Sequence, residues 1–502
     1  MASARVGKDV AANLLGQGWA ALWNFGLAPV YARLLGIGGY GLVGMFLAVQ
    51  GVLAVLDLGL TPAMTRETAR TSTAHEARSL ARTFELLSWC IGGCVGAAGL
   101  LWGPLAFAHW AKGGALSAAQ VATPIRLMVL VLVAQWPIGL YSGGLMGLRK
   151  QLLLNAINAA AATVRGVGSI LVLVYVSPTV TAFFAWHVVI AAVQTTVLRV
   201  FCWRALPPPE GTPRFEGARL VGIVSFAAGM SGVGAVSLLL TQLDKIVLSR
   251  LLSLEMFGYY ALASLFGGSI QVVISPLARA LFPNFARLTS SADEVALGVM
   301  YHKGCQLMSV MVLPIAFVGI LFSSELLLLW TRDPRVVDQA RGAAMLLLGG
   351  TALNGLVSVP YALQIAHGWT RLALTMATIQ VFLLTPVAYV LALRYGLSGG
   401  ASVWLLLNAM YVVISVPLMH RRLLPGGLTS WARDDIGKPL LAAAVIAVIG
   451  RLVVPASAPP TLPQVVLIAC VGLVALIGAA LAAPLVRARA LEEFRTVRMR
   501  HG

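Results

Sequence analysis

The sequence predicts an all-α polytopic membrane protein: about fourteen transmembrane helices, in two pseudo-symmetric six-helix lobes with two further helices at the C-terminal end. Three observations carry this. Of 502 residues, 59% are hydrophobic and only 11% are charged, against about 25% charged in soluble domains. No protein core could hide that much apolar side chain, so the solvent itself must be apolar. Runs of about 20 apolar residues recur along the whole chain, each long enough to cross a hydrocarbon layer of roughly 30 Å. Finally, one phrase is written twice, as RLLGIGGYGLVG at 33–44 and RLLSLEMFGYYA at 250–261.

Taken in order, the spans fall near 10–35, 40–60, 83–109, 121–147, 152–176, 180–203, 219–249, 255–285, 304–330, 340–366, 372–393, 399–420, 437–456 and 464–486. Strand-like alternation is absent, and 51 Gly with 24 Pro suit close-packed, bent membrane helices. The longest connections, 61–82, 204–218, 286–303 and 421–436, are too short for a folded extramembrane domain. The opening MASARVGKDV precedes a long span with no A-x-A site, so no cleaved signal peptide is expected. The five cysteines lie in apolar runs without metal-type spacing, Cys90 and Cys94 on one helix face, and read as small packing residues.

Lys and Arg sort by alternate loops. One set holds Arg66, Arg70, Arg78 and Arg82; Arg149 and Lys150; Arg204, Arg214 and Arg219; Arg421, Arg422, Arg433 and Lys438; and the Arg-rich tail. That set contains most of the basic residues, so both termini are expected in the cytoplasm. The +18 net charge is therefore a topology signal with some affinity for anionic membrane lipids. It is dispersed among loops with no nucleic-acid motif, and no nucleic-acid partner is expected.

The repeated phrase has a place in this topology. Its copies lie 217 positions apart (250 − 33), too far for a solenoid repeat. One joins spans one and two, the other spans seven and eight. An even number of spans between them gives both halves the same orientation, so an axis along the membrane normal should relate the lobes. The expected boundaries are an N-lobe over 1–206, a cytoplasmic linker over 207–218 (containing PPPEGTPR), a C-lobe over 219–424, and two added spans with a basic tail over 425–502.

Polar side chains at membrane depth mark a protein interior or a wet cavity. Asn13, Gln17 and Asn24 share a face of span one by the 3.6-residue period, as Ser237, Thr241 and Lys245 do in span seven. Shifted by the repeat offset, Thr241 lands on Asn24 and Lys245 on Ala28. Span five adds Asn155, Asn158, Arg165 and Ser169. Span eight adds Ser264, Gln271 and Ser275, span ten Asn354, Ser358 and Tyr361, and span two Gln50 and Asp57. Arg165 lies mid-span, where an unpaired charge costs at least about 2.5–3.5 kcal/mol. It is either a ligand for an anion or a structural partner of Asp57 or of backbone carbonyls. Lys245 has the same two readings: its neighbour Asp244 points about 100° away on a helix. Asp57 and Asp244 are the coupling or structural acids. Trp19 and Trp23 share a face away from the Asn13–Gln17–Asn24 stripe and read as packing or lipid contact.

No Walker A motif, metal cluster or large loop with paired carboxylates is present. No cofactor or metal is therefore expected, and transport rather than enzymatic catalysis is the reading.

Several stretches resemble the Wzx-type polysaccharide and O-antigen flippases of lipopolysaccharide biosynthesis. They are YARLLGIGGYGLVGMFLAVQGVLAVLDLGLTPAMTRETAR (31–70), GLMGLRKQLLLNAINAAAATVRGVGSILVLVYVSPTVTAFF (144–184), QLDKIVLSRLLSLEMFGYYALA (242–263) and ISPLARALFPNFARL (274–288). That resemblance places the chain in the MATE-like MOP superfamily, with two six-helix lobes around a central cavity. It implies flipping of an oligosaccharide linked to undecaprenyl pyrophosphate, an O-antigen or exopolysaccharide repeat unit, across the bacterial inner membrane. It also implies the polysaccharide polymerase and chain-length machinery as partners. By the same resemblance, Arg165 in VRGVG and Lys245 in QLDK would meet the anionic headgroup, and Asp57 and Asp244 match recurrent family acids. The cavity set is then Arg165, Lys245, Asn13, Gln17, Asn24, Asn158, Thr241, Gln271, Asn354 and Tyr361. A lipid II flippase, a MATE-like multidrug or cation antiporter and a membrane glycosyltransferase stand as alternatives.

Overall fold

The computed structural model describes residues 2–54, 59–70, 74–110, 118–208, 236, 239–455 and 460–488, with the backbone alone for 2–17, 74–75, 109–110 and 118–120. Among the described residues every element is helical. The backbone packs as two compact units, Met1–Gly258 and Tyr259–Gly502. The expected linker, after its first two residues, and most of span seven lie outside the described residues.

The first unit holds α1 (Ala2–Leu53), α2 (Leu60–Arg70), α3 (Ala74–Trp110), α4 (Ala118–Gln135), α5 (Ile138–Gly147), α6 (Gln151–Leu171), α7 (Val180–Ala205) and the described end of α8 (239–251). α9 (Leu254–Gly267) crosses into the second unit. There follow α10 (Gln271–Ser290), α11 (Glu294–Leu321), α12 (Ser323–Thr331), α13 (Pro334–Ala366), α14 (Thr370–Met410), α15 (Val416–Leu423), α16 (Gly427–Ser430), α17 (Lys438–Val453) and α18 (Leu462–Ala482). Among the described residues ten stretches are long and apolar enough to cross a membrane, and the bent pair α9–α10, turning by 45°, makes an eleventh if it is one span. This is a multi-pass membrane protein.

Two of the ten, Gly18–Leu53 and Thr370–Leu423, each join two helices across a residue of non-helical backbone. The loops expected near 36–39 and 394–398 are single residues: Gly36 (φ 73°, ψ 157°) and Gly396 (φ 55°, ψ −126°). The Gly36 conformation is essentially closed to any side chain, so one glycine turns the chain. Other connections are also more helical than hydropathy suggests. The loop expected at 61–82 contains α2 and the start of α3. α2 buries Leu60, Ala63 and Met64 against α5, where Gly143 and Gly147 leave room for its backbone.

The repeated phrase breaks both helices at the same register. Gly36 shifted by 217 is Ser253, which ends α8 and caps α9, its hydroxyl accepting from Met256 N at 3.3 Å. The copies also touch reciprocally inside the first unit. A Cβ on Gly41 would strike the carbonyl of Leu254, and one on Gly258 would strike the carbonyl of Ile37. Gly41 pairs with Gly258 by the repeat offset, and Ile37 with Leu254, so the two contacts are equivalent.

In the second unit, α17 and α18 lie against α11 around Leu313, Ala443 and Ala479. Each end of α17 is anchored by a buried carboxylate. Asp435, in the π-helical turn before α17, is fully buried; it pairs with His302 Nδ1 at 2.6 Å and accepts from Gln306 Nε2 at 2.9 Å. At the other end Arg451 pairs with buried Glu325 of α12.

Candidate functional site

The polar stripe of α6 faces a cavity of about 320 Å³ inside the first unit. Three helices build it. α1 presents Trp23, Asn24, Leu27 and Tyr31, α6 presents Asn155, Asn158, Ala162, Arg165 and Gly166, and α7 presents His187 and Gln194. Apart from the adjacent pairs Trp23–Asn24 and Arg165–Gly166, these positions recur within each helix at three, four or seven residues, the spacing of one helical face. Gly166 lets α1 come close: a Cβ there would meet Leu27 Cδ1 at 2.7 Å and Trp23 Cε3 at 3.2 Å.

Arg165 is the centre of the cavity's chemistry. Its Nη2 donates to Gln194 Oε1 at 2.6 Å, and Gln194 Nε2 donates to Asn158 Oδ1 at 3.1 Å. Its Nε is buried without a partner. Among the described residues no carboxylate lies within ion-pair distance, and the cation is held by the neutral amide of Gln194. The backbone around it is pinned: Ser169 Oγ and Trp186 Nε1 both donate to the Arg165 carbonyl, at 2.7 and 3.3 Å. Tyr31 OH donates to the Gly166 carbonyl at 3.2 Å. His187 Nδ1 lies 2.9 Å from the Phe183 carbonyl; a carbonyl only accepts, so that nitrogen carries the proton and Nε2 of the neutral ring is an acceptor. The lining therefore offers one cation, several amides, two aromatic walls and an imidazole. That set suits an anion carrying hydroxyl groups.

Of the residues singled out in the sequence, Asn24, Asn158 and Arg165 line this cavity, with Asn155 beside them. The side chains of Asn13 and Gln17, and all of Asp57, lie outside the described residues. Lys245 does not line it: Nζ reaches the Thr241 carbonyl at 3.4 Å and Asp244 Oδ1 at 3.9 Å. The long lysine stem thus spans the angular offset that separates helix neighbours. Gln50 pairs with Gln135 of α4 at 2.7 Å. In the second unit Gln271 donates to Ser275 at 3.2 Å, Asn354 donates to Asn408 at 2.9 Å, and Tyr361 stands half-exposed near Tyr411. Trp23, read from the sequence as packing or lipid contact, is a wall of the cavity next to Asn24. Trp19 instead donates to Thr163 at 2.8 Å. Tyr31, His187 and Gln194 were not singled out from the sequence; His187 and Gln194 lie seven residues apart on one face of α7, a spacing that could have found them, and the approach of α7 to α6 gives them a role.

A family model described as "Polysaccharide biosynthesis protein" matches residues 6–289, more than half of the chain. The chain belongs to that family. The matched segment contains the whole described cavity. A curated relative, "Putative O-antigen transporter" of Shigella flexneri, is 21% identical over 393 residues, which are 78% of this chain and 92% of the relative. Among solved structures, lipid II flippase MurJ in an inward closed conformation superposes with a TM-score of 0.73 at 13% identity, covering 94% of this chain and 98% of that one. An inward-facing MATE-family multidrug transporter of the MOP superfamily gives 0.64 at 15% identity, covering 85% and 96%. At these identities the two structures establish the fold, that of the MurJ and MATE transporters.

Proposed function

We propose that this family member is a flippase. It carries a polyprenyl-pyrophosphate-linked oligosaccharide, an O-antigen or exopolysaccharide repeat unit, across a bacterial inner membrane by alternating access, with both termini cytoplasmic. The observation that carries this reading is Arg165: a cation at membrane depth, held by the Gln194 amide and facing a polar cavity. Such a charge is costly and persists where an anion completes it. Moving a pyrophosphate with attached sugars bare through hydrocarbon is prohibitive. In the cavity Arg165 takes the phosphate oxygens, and Asn24, Asn155 and Asn158 take hydroxyls. The polyprenyl tail stays in lipid. Lys245, outside this cavity, is the second cation of the proposed path. The O-antigen transporter relative and the family match support the glycan cargo. A cation antiporter fits less well, since cationic cargo calls for a carboxylate and the described lining has none.

The test is complementation of a strain deleted for the gene. Arg165→Ala should insert at normal level yet export glycan at least tenfold less, with lipid-linked glycan accumulating on the cytoplasmic face. Arg165→Lys should restore part of the export, because charge returns without the planar donor pair. Normal surface glycan from Arg165→Ala at wild-type protein level would remove the assignment. Complementation of a lipid II flippase depletion would redirect the reading to that cargo.

A further inference from the structure

Glu85 organises a second polar cluster in the first unit. It is buried on α3, and side chains of three helices converge on it: Tyr141 of α5, Arg199 and Trp203 of α7, and Arg82 one turn earlier on α3 itself. Arg199 Nε and Arg82 Nη1 reach the carboxylate at 2.6 and 2.9 Å. Two arginines thus share one carboxylate, and the trio carries a net positive charge. Two nitrogens of each guanidinium are not bonded to Glu85, and the two arginine side chains are 49% and 44% exposed. Nearby Arg78 differs: it donates to the Trp203, Leu206 and Pro207 carbonyls and closes the end of α7. None of these residues lines the Arg165 cavity.

The pair sits near the end of two spans. Arg82 stands six residues inside the start of Glu76–Ala108, and Arg199 six residues before the end of Val180–Ala205 (82 − 76 and 205 − 199). Each is roughly 9 Å from its helix end, within reach of the headgroup layer for a snorkelling arginine. Deeper along the same helices, apolar side chains lie open. Leu86 and Trp89 follow Arg82 on one face of α3, at spacings of four and three, and Val193 and Val200 flank Arg199 on α7; all four are exposed. In a membrane span such side chains touch acyl chains, which are as apolar as they are. Glu85 sets the orientation of both guanidiniums in advance, so little side-chain freedom remains to be lost when an anion binds. We propose that Arg82 and Arg199 dock the phosphodiester of an anionic phospholipid, whose acyl chains lie along α3 and α7. Charge complementarity selects this occupant. A zwitterionic headgroup brings its own ammonium and leaves the positive charge of the trio unanswered, whereas the single negative charge of phosphatidylglycerol matches it. The site is a contact with the surrounding membrane and does not depend on the cargo.

The test uses the purified full-length protein in native mass spectrometry, with phosphatidylglycerol and phosphatidylethanolamine at equal concentration. The unaltered protein should retain phosphatidylglycerol in roughly tenfold excess, the scale of two arginines meeting one anionic headgroup. Arg82→Gln combined with Arg199→Gln should bring the two lipids to within about twofold of each other. Arg433→Gln removes another exposed arginine paired with a carboxylate and should leave the preference intact. Inorganic phosphate at the same concentration should not displace phosphatidylglycerol, because it lacks the acyl chains. Equal retention of both lipids by the unaltered protein would overturn the site, and that comparison needs no variant to fold. A preference that survives in the double variant, or that is lost equally in Arg433→Gln, would also overturn it. Displacement by inorganic phosphate, or retention of a polyprenyl phosphate in preference to phosphatidylglycerol, would remove the phospholipid as its occupant.

Discussion

The reciprocal contact between the two copies of the repeated phrase makes a strong energetic prediction. A Cβ on Gly41 falls inside 3.0 Å of the Leu254 carbonyl oxygen and 2.9 Å from its carbon, and one on Gly258 falls inside 3.0 Å of the Ile37 oxygen and 3.1 Å from its carbon. Ordinary contact begins near 3.4 Å, so the α1 and α9 backbones must part by about half an ångström on the Gly41 carbon alone, and by more on the oxygen. The obstruction is main chain, so no rotamer change relieves it. Overpacking of this kind costs about 1–3 kcal/mol, and the backbone obstacle puts Gly41→Ala and Gly258→Ala in the upper half of that range. Melting of the detergent-solubilised protein should fall by roughly 2–3 °C for each variant, the shift per kcal/mol being small in a chain this long.

The double variant is the sharper measurement. A single parting of the two helices makes room for both methyl groups, so the second should enter at little further cost. The pair should then cost less than the sum of the singles by about 1 kcal/mol or more. Gly38→Ala is the control on the same helix, since nothing lies within 4 Å of a Cβ there, and it should leave melting unchanged. Two results would refute the reasoning: single variants as stable as Gly38→Ala, or a double variant whose cost is the plain sum.

Three further predictions concern features the sequence did not single out. Gly36→Ala places a side chain in a backbone region open only to glycine and should cost about 1–3 kcal/mol; Ser253→Ala removes only a cap and should cost about 1 kcal/mol, both read by thermal melting. Glu85 is buried and accepts from Tyr141 OH and Arg199 Nε at 2.6 Å each, from Trp203 Nε1 at 3.3 Å, and from Arg82 at 2.9 Å. Because the arginine heads are partly exposed, Glu85→Ala should cost about 1–3 kcal/mol, chiefly through the stranded Tyr141 hydroxyl. Glu85→Gln should cost less. Arg451→Ala strands Glu325 inside the second unit and should cost about 3–5 kcal/mol, with α17 and α18 becoming protease-sensitive before the rest of the chain.

Much of the fold was legible because a membrane span is a length and composition signal, and both survive in one sequence. The stripe Asn155–Asn158–Arg165 was legible for the same reason, since helical period alone puts these residues on one face. Connections were read less well. Hydropathy sees a dip in apolarity at Gly36 and Gly396, yet whether a dip is a loop or one bent residue depends on φ, which composition does not encode. The partners of Arg165 were hidden more deeply. Gln194 lies on α7, and nothing in its local pattern distinguishes it from any amide in an apolar run. Only packing brings it within 2.6 Å of Arg165. The same limit explains Asp435 and Glu325, which anchor α17 through residues more than a hundred positions away. Periodicity therefore identifies which residues must avoid lipid, while tertiary contact decides which of them are already satisfied. Asn354 bonded to Asn408 and Gln50 bonded to Gln135 each have an amide partner. Arg165, bonded to the Gln194 amide, keeps a buried Nε without a partner and has no carboxylate within ion-pair distance among the described residues.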